Sequence, residues 1–205
     1  LSVGTGQSIT VDHVTFTGDC ATGLKGGHIE TNGTDGLLVE ACVIEKFGQC
    51  GGGGHEDHGI YLASGKNIVI RNNLAYDISP SYSTLSNPAD GWFAVIGNGP
   101  RDITFDHNTI DNSGNNVMVL YAGVAPTGTK VSGLVINNNL MKHNLYGIYG
   151  DVVGEGIAAF NRYAPDVTML RNAMGGGSAK QYPTGNFFPT LAQWKADFVN
   201  YAAND

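Results

Sequence analysis

Charge is scarce in this chain: Asp, Glu, Lys and Arg together make up 14% of its 205 residues. The 11 basic residues are outnumbered by 18 acidic ones, for a formal net charge of −7, and no Lys/Arg cluster stands out. A protein that neutralises phosphates needs such a cluster, so nucleic acid is excluded as a partner. No apolar run approaches the length of about 20 residues that a membrane-spanning helix requires. Neither an initial Met nor a signal-peptide pattern precedes Leu1-Ser2-Val3-Gly4, which suggests a mature product or an excerpt of a longer chain, monomeric if it stands alone. Cysteine is rare too: with three, at least one has no partner within the chain. The run Gly51–Gly54 lacks the Lys-Ser/Thr and helix context of a phosphate cradle.

Glycine, by contrast, is plentiful at 30 residues, and the text around it repeats. With Ile68 as anchor, the same pattern returns at Ile9, Leu37, Ile103, Leu134 and Val167, in steps of 28 to 35 residues. Two residues past each anchor stand Val11, Val39, Ile70, Phe105, Ile136 and Met169, with Thr10, Leu38, Val69, Thr104, Val135 and Thr168 between. Alternation of this kind, rich in β-branched residues, marks half-buried strands and not helices. Five residues past the anchor the column reads Val14, Cys42, Asn73, Asn108, Asn139 and Asn172. Asn tolerates left-handed backbone and can bond along a stack of like neighbours, so this column is read as a scaffold bend with a small buried side chain throughout. Asp12, Glu40, Arg71 and Asp106 share an outward column, and Glu40–Arg71–Asp106 reads as a ladder of alternating sign.

An upstream strand repeats as well. Gly27-His28-Ile29-Glu30, His58-Gly59-Ile60-Tyr61, Phe93-Ala94-Val95-Ile96 and Tyr146-Gly147-Ile148-Tyr149 align, with Val117-Met118-Val119-Leu120 a looser copy. Strand, turn, strand, Asn bend and short strand, stacked in successive copies, make an all-β parallel β-helix of about six coils. At about 4.8 Å per coil this is a stubby rod. The domain is expected over residues 1–176, with a capping tail over 177–205. Within that tail Thr190 and Gln193 have capping-box spacing, and Leu191, Trp194 and Phe198 fall on one face of a short C-terminal helix. Ile157-Ala158-Ala159-Phe160 reads as one more strand.

On these repeats, over about residues 8–176, the chain resembles the right-handed parallel β-helix superfamily of pectate lyases, polygalacturonases, alginate lyases and phage tailspikes. Its tail is similar to those of bacterial β-helix proteins of unassigned function. The resemblance implies a polysaccharide-binding groove on the outward face of the upstream strand, and a secreted or cell-surface protein acting as a lyase or glycosidase. It equally accommodates a glycan-binding or structural surface module without catalysis. The family's active-site signatures, an Asn-Thr-Asp with Asp-Asp and Arg-x-Lys among them, are not present, and His58-Gly59-Ile60 only partly matches a Gly-His-Gly.

Alternation places His28, Glu30, Gly59, Tyr61, Ala94, Ile96, Gly147 and Tyr149 on that outward face, and the adjoining loops add His55, Glu56, Asp57, His58, Asp77, Tyr82, Asp90 and Trp92. Glu30, Asp57, His58 and Tyr61 are the catalytic candidates: His58 or Tyr61 as the base that takes a uronate C5 proton, Glu30 and Asp57 as a glycosidase acid/base pair. His28, His55, Glu56, Tyr82, Asp90, Trp92 and Tyr149 are the candidate sugar contacts, with Trp92 serving either as a loop anchor or as a sugar platform. The run His55-Glu56-Asp57-His58 has two further readings, as ligands of a divalent ion or as a solvated loop whose His58 caps a strand. An acidic polysaccharide on so acidic a protein would call for a local basic patch or a bound cation such as Ca²⁺; no cofactor motif is legible. Cys42 reads as an inert buried thiol. Cys20 and Cys50 occupy equivalent loops of adjacent coils, where they either bridge, as suits an oxidising compartment, or stay reduced.

Overall fold

The computed structural model describes residues 1–17, 29–45, 57–76, 91–111, 116–121 and 129–194. Three parallel sheets wrap one apolar core. The first stacks Ser2–Val3, Ile29–Thr31, Asp57–Leu62, Gly91–Ile96, Asn116–Leu120 and Gly147–Gly150, and ends on the antiparallel strand Gly154–Glu155. The second stacks Gln7–Asp12, Thr34–Glu40, Gly65–Arg71, Arg101–Asp106, Ser132–Asn137 and Thr168–Leu170. The third stacks Thr15–Thr17, Val43–Glu45, Leu74–Tyr76, Thr109–Ile110, Leu140–Lys142 and Ala173–Gly175. Each coil contributes one strand to each sheet.

The anchor register holds. Ile9, Leu37, Ile68, Ile103 and Leu134 are successive Cα partners, as are Val11, Val39, Ile70, Phe105 and Ile136. All but Ile9 and Val11 are essentially inaccessible, because every alternate side chain points into a cylinder closed by the other two sheets. Phe93 meets Phe105 edge-on across that cylinder at 6.2 Å.

The Asn column is a continuous ladder. Asn73 Oδ1 accepts the Cys42 N–H at 2.9 Å, Asn108 Oδ1 accepts the Asn73 N–H at 3.1 Å, and Asn139 and Asn172 continue it. The left-handed bend, however, falls one residue earlier than the sequence reading put it, on His13, Ala41, Asn72, His107, Asn138 and Arg171, with φ between 50° and 57°. The Asn side chains secure the bend from inside; the residue before each one turns it. Val14, at the head of the column, is 38% exposed and not buried. Cys42 is a buried free thiol, raised above its ordinary pKa chiefly by that burial. Cys20 and Cys50 lie outside the described residues.

One further expectation is corrected. Residues 157–160 belong to an α-helix, Ile157–Tyr163, whose buried Ala159, Phe160 and Tyr163 share one helical face. Glu40, Arg71 and Asp106 are successive register partners, as the alternating-sign file requires; Arg71 pairs with Glu40 at 2.7 Å, and Asp106 accepts from Asn138 Nδ2 at 2.7 Å and faces His107 Nδ1 at 2.9 Å. Beyond the last coil, Asn186 extends the ladder by accepting the Asn172 N–H at 3.0 Å, and Tyr182 is buried against the end of the stack. The capping box forms, Gln193 N–H donating to Thr190 Oγ1 at 3.2 Å, and Trp194 packs over Gly175. Phe198 lies outside the described residues.

Candidate functional site

From Ile60, Ala94, Met118 and Ile148 onward side chains alternate across the first sheet, so its outward face there is fixed once the inward one is known. Ile60, Leu62, Ala94, Ile96, Met118, Leu120 and Ile148 point inward and are fully or almost fully buried. Ala94 and Ile96 therefore do not line the outer face, contrary to the sequence reading. Ala94, not Val95, is the partner of Ile60, because the corner between Ile96 and Arg101 is one residue longer than that between Leu62 and Lys66. The outward file that results is Glu30, Tyr61, Val95, Val119 and Tyr149, each the register partner of the next.

A groove of about 470 Å³ lies over this file, lined by His58, Tyr61, Trp92, Val95, Asn116, Val119, Tyr121, Tyr149 and Asp151. Val95 and Val119 form an apolar floor. At one edge, His58 and Trp92, paired in register, stack at 4.9 Å with their planes 7° apart. At the other edge Tyr121 lies nearly parallel to Tyr61, ring centroids 6.4 Å apart, and their hydroxyls are hydrogen-bonded to each other. Gly97 makes this possible: a Cβ there would collide with the Tyr121 ring. Tyr149 stands at the far end, tilted against Tyr146 at 5.5 Å. Asp151 is carried past it by a hairpin whose Asp151 N–H donates to the Leu120 carbonyl at 3.0 Å. From the Tyr61 coil to the Tyr149 coil the file spans about 14 Å at 4.8 Å per coil.

Of the residues singled out in the sequence, His58, Tyr61, Trp92 and Tyr149 converge on this groove. Glu30 is half-buried beside Tyr61 on the neighbouring strand. Asp57 begins its strand opposite Gly91, and its side chain is outside the description. His28, His55, Glu56, Tyr82 and Asp90 also lie outside the described residues. Among those described, no group of three or more His, Cys, Asp or Glu residues could hold a metal ion. No described helix is long and apolar enough to cross a membrane.

Tyr121, Asp151, Asn116, Val95 and Val119 were missed. Tyr121 and Asp151 follow their strands, where the repeat no longer dictates position. The one available signal was Gly97, the small residue on the coil before Tyr121.

Three stacked parallel ladders, an internal Asn file and an aromatic groove on one outer face define a β-solenoid protein. The chain belongs to the family of right-handed β-helix regions, whose sequence model matches residues 1–133. No curated protein matches it, and no solved structure does.

Proposed function

We propose that this is a carbohydrate-active β-helix protein that holds a polysaccharide along the outer face of the first sheet and cleaves it, as a lyase or glycosidase. The observation that carries the reading is the aromatic lining: His58/Trp92 and Tyr61/Tyr121 present ring faces and hydroxyls on either side of an apolar floor. Sugar rings offer apolar C–H faces edged with hydroxyls, which such a surface complements. Acid/base groups are at hand in His58, Tyr61 and the adjoining Glu30, and Asp151 adds a carboxylate to the groove itself. On this reading the protein is secreted or cell-surface, where polysaccharides are met.

The test is to incubate the protein with uronate-containing and neutral glycans and to assay for new reducing ends and unsaturated products. Turnover lost in His58→Ala and Tyr61→Phe supports the assignment; turnover unchanged in both removes it.

A second reading, glycan binding without cleavage, is favoured by the groove's charge. Among the described lining residues there is no Lys or Arg to neutralise a uronate carboxylate, and Asp151 is the one carboxylate, where a glycosidase uses two. Saturable binding with no product from any glycan selects this reading.

A further inference from the structure

The hairpin that carries Asp151 is held by almost nothing of its own. Its strands pair through just Tyr149 with Glu155 and Gly150 with Gly154, and so short a ribbon is marginal in isolation. Its tip is strained: Val152 has φ +57°, which a β-branched residue avoids, and is 83% exposed, so no burial compensates. Asp151 itself is tied to its neighbours, its N–H donating to the Leu120 carbonyl at 3.0 Å and its carbonyl accepting from the Tyr163 hydroxyl at 2.5 Å; a second anchorage lies at the base. His143 Nδ1 is 3.0 Å from the Asn144 carbonyl, which can only accept, so Nδ1 bears a hydrogen. Nε2 then faces Glu155 Oε2 at 2.9 Å, with the two side chains 8% and 16% exposed. Among the described residues neither atom has a hydrogen-bond partner, so this 2.9 Å approach is the one polar contact each makes. A ring lone pair set against a carboxylate oxygen would repel it; one proton between them satisfies both.

The surroundings keep that contact dry. Tyr182 presents its ring edge-on to His143 at 6.1 Å, accepts the Ile148 N–H at 3.1 Å, and has its phenol raised well above its ordinary range, first by burial. Gly147, at φ +57°, leaves the space: a Cβ there would strike both Tyr182 and His143. Lys142, next to His143, is directed instead toward Asp111 at 3.6 Å.

We propose that His143 and Glu155 are positioning residues which, by sharing one buried proton, hold the Gly150–Glu155 hairpin in place, so that Tyr149 and Asp151 form the far wall of the groove and Asp151 contacts the ligand's hydroxyls. The pair acts on the ligand through the hairpin and does not touch it. This deepens the carbohydrate reading above and rests on it.

The experiment measures, for the parent and for Glu155→Ala, Glu155→Gln and Asp151→Asn, the affinity for an oligosaccharide that the parent binds, well below each melting temperature, together with amide hydrogen exchange over residues 149–155. Glu155→Ala and Asp151→Asn should each weaken binding by about tenfold or more. Glu155→Gln, whose amide N–H can supply the hydrogen to Nε2, should restore affinity to within about threefold and restore slow exchange. A lowered melting temperature in Glu155→Ala with parental affinity and parental exchange overturns the proposal, since it would leave the pair a stability role alone. If Glu155→Ala does not fold, Glu155→Asp, which keeps the charge but withdraws it by one methylene, must show the loss, and parental affinity there overturns it. A parent that binds no glycan refutes the carbohydrate reading separately; exchange over 149–155 that is equal in Glu155→Ala and Glu155→Gln still refutes the anchorage.

Discussion

One oxygen of Asn139 accepts twice from Asn108: the backbone N–H and the side-chain Nδ2–H of Asn108 both donate to Asn139 Oδ1 at 2.9 Å. The other Nδ2 hydrogen of Asn108 goes to the Ile70 carbonyl at 2.9 Å, and its own Oδ1 receives the same double donation from Asn73. Every polar atom of this 1%-exposed side chain is thus used, and each rung depends on the next.

Replacing Asn108 with Ala would strand the Asn73 donors and the Asn139 acceptor in the core. Each buried unsatisfied group costs about 1–3 kcal/mol, so a loss of about 3–5 kcal/mol is expected, read as a fall in the urea midpoint. Asn186→Ala, at the partly buried end of the ladder, should cost less than half as much. Equal losses at the two positions would mean that the ladder is not cooperative.

Ala41 turns its bend at φ +50°, where its neighbours in the file are His, Asn and Arg. A left-handed conformation costs a non-Gly residue about 1–2 kcal/mol. Ala41→Gly should therefore stabilise the protein by about 1 kcal/mol, against the usual effect of glycine in a strand-rich segment. A lower melting temperature in this variant would contradict the assigned bend.

The anchor columns were legible because core packing repeats coil by coil: a slip of one residue would turn Ile68 or Ile103 out to solvent. The upstream strand was misread by one residue at Ala94 and Val95 because corners absorb insertions, and Gly97–Pro100 contains one. Ile157–Phe160 was misread because a short apolar run has no period long enough to separate strand from helix. Asn186 escaped because it follows Asn172 by 14 residues and not by a coil length. Tyr61 and Tyr149 could be named from their strand, and His58 and Trp92 from loops expected beside it that prove to be among the strands' own first residues, whereas Tyr121 and Asp151 are placed by turns that no spacing rule covers.

Gly97 has an ordinary backbone, so a side chain there is opposed by contact alone. Gly97→Ala should fold, displace Tyr121 and break its hydroxyl bond to Tyr61, with glycan affinity reduced about tenfold. Calorimetric titration beside near-ultraviolet circular dichroism reads both effects. Parental affinity with a displaced Tyr121 would remove that ring from the binding surface.

Asp106 gives a pH signature of the scaffold. Burial raises its pKa, but the hydrogen bonds from Asn138 and His107 outweigh burial and hold it below its ordinary 3.8. A carboxyl more acidic folded than unfolded stabilises the fold above about pH 3.8 and loses that contribution as pH falls through the folded value. The stability gap between parent and Asp106→Ala should be open at neutral pH and narrow below about pH 3.8. A gap of constant size down to about pH 2 would assign the effect to packing.

The most direct test of the account is a crystal structure of the protein with a bound oligosaccharide. It should show sugar rings lying over Val95 and Val119, between the His58/Trp92 stack and the Tyr61/Tyr121 pair, with the ligand running along the coils toward Asp151. Sugar bound on the outer face of the second or third sheet, with this groove filled by solvent, would contradict it.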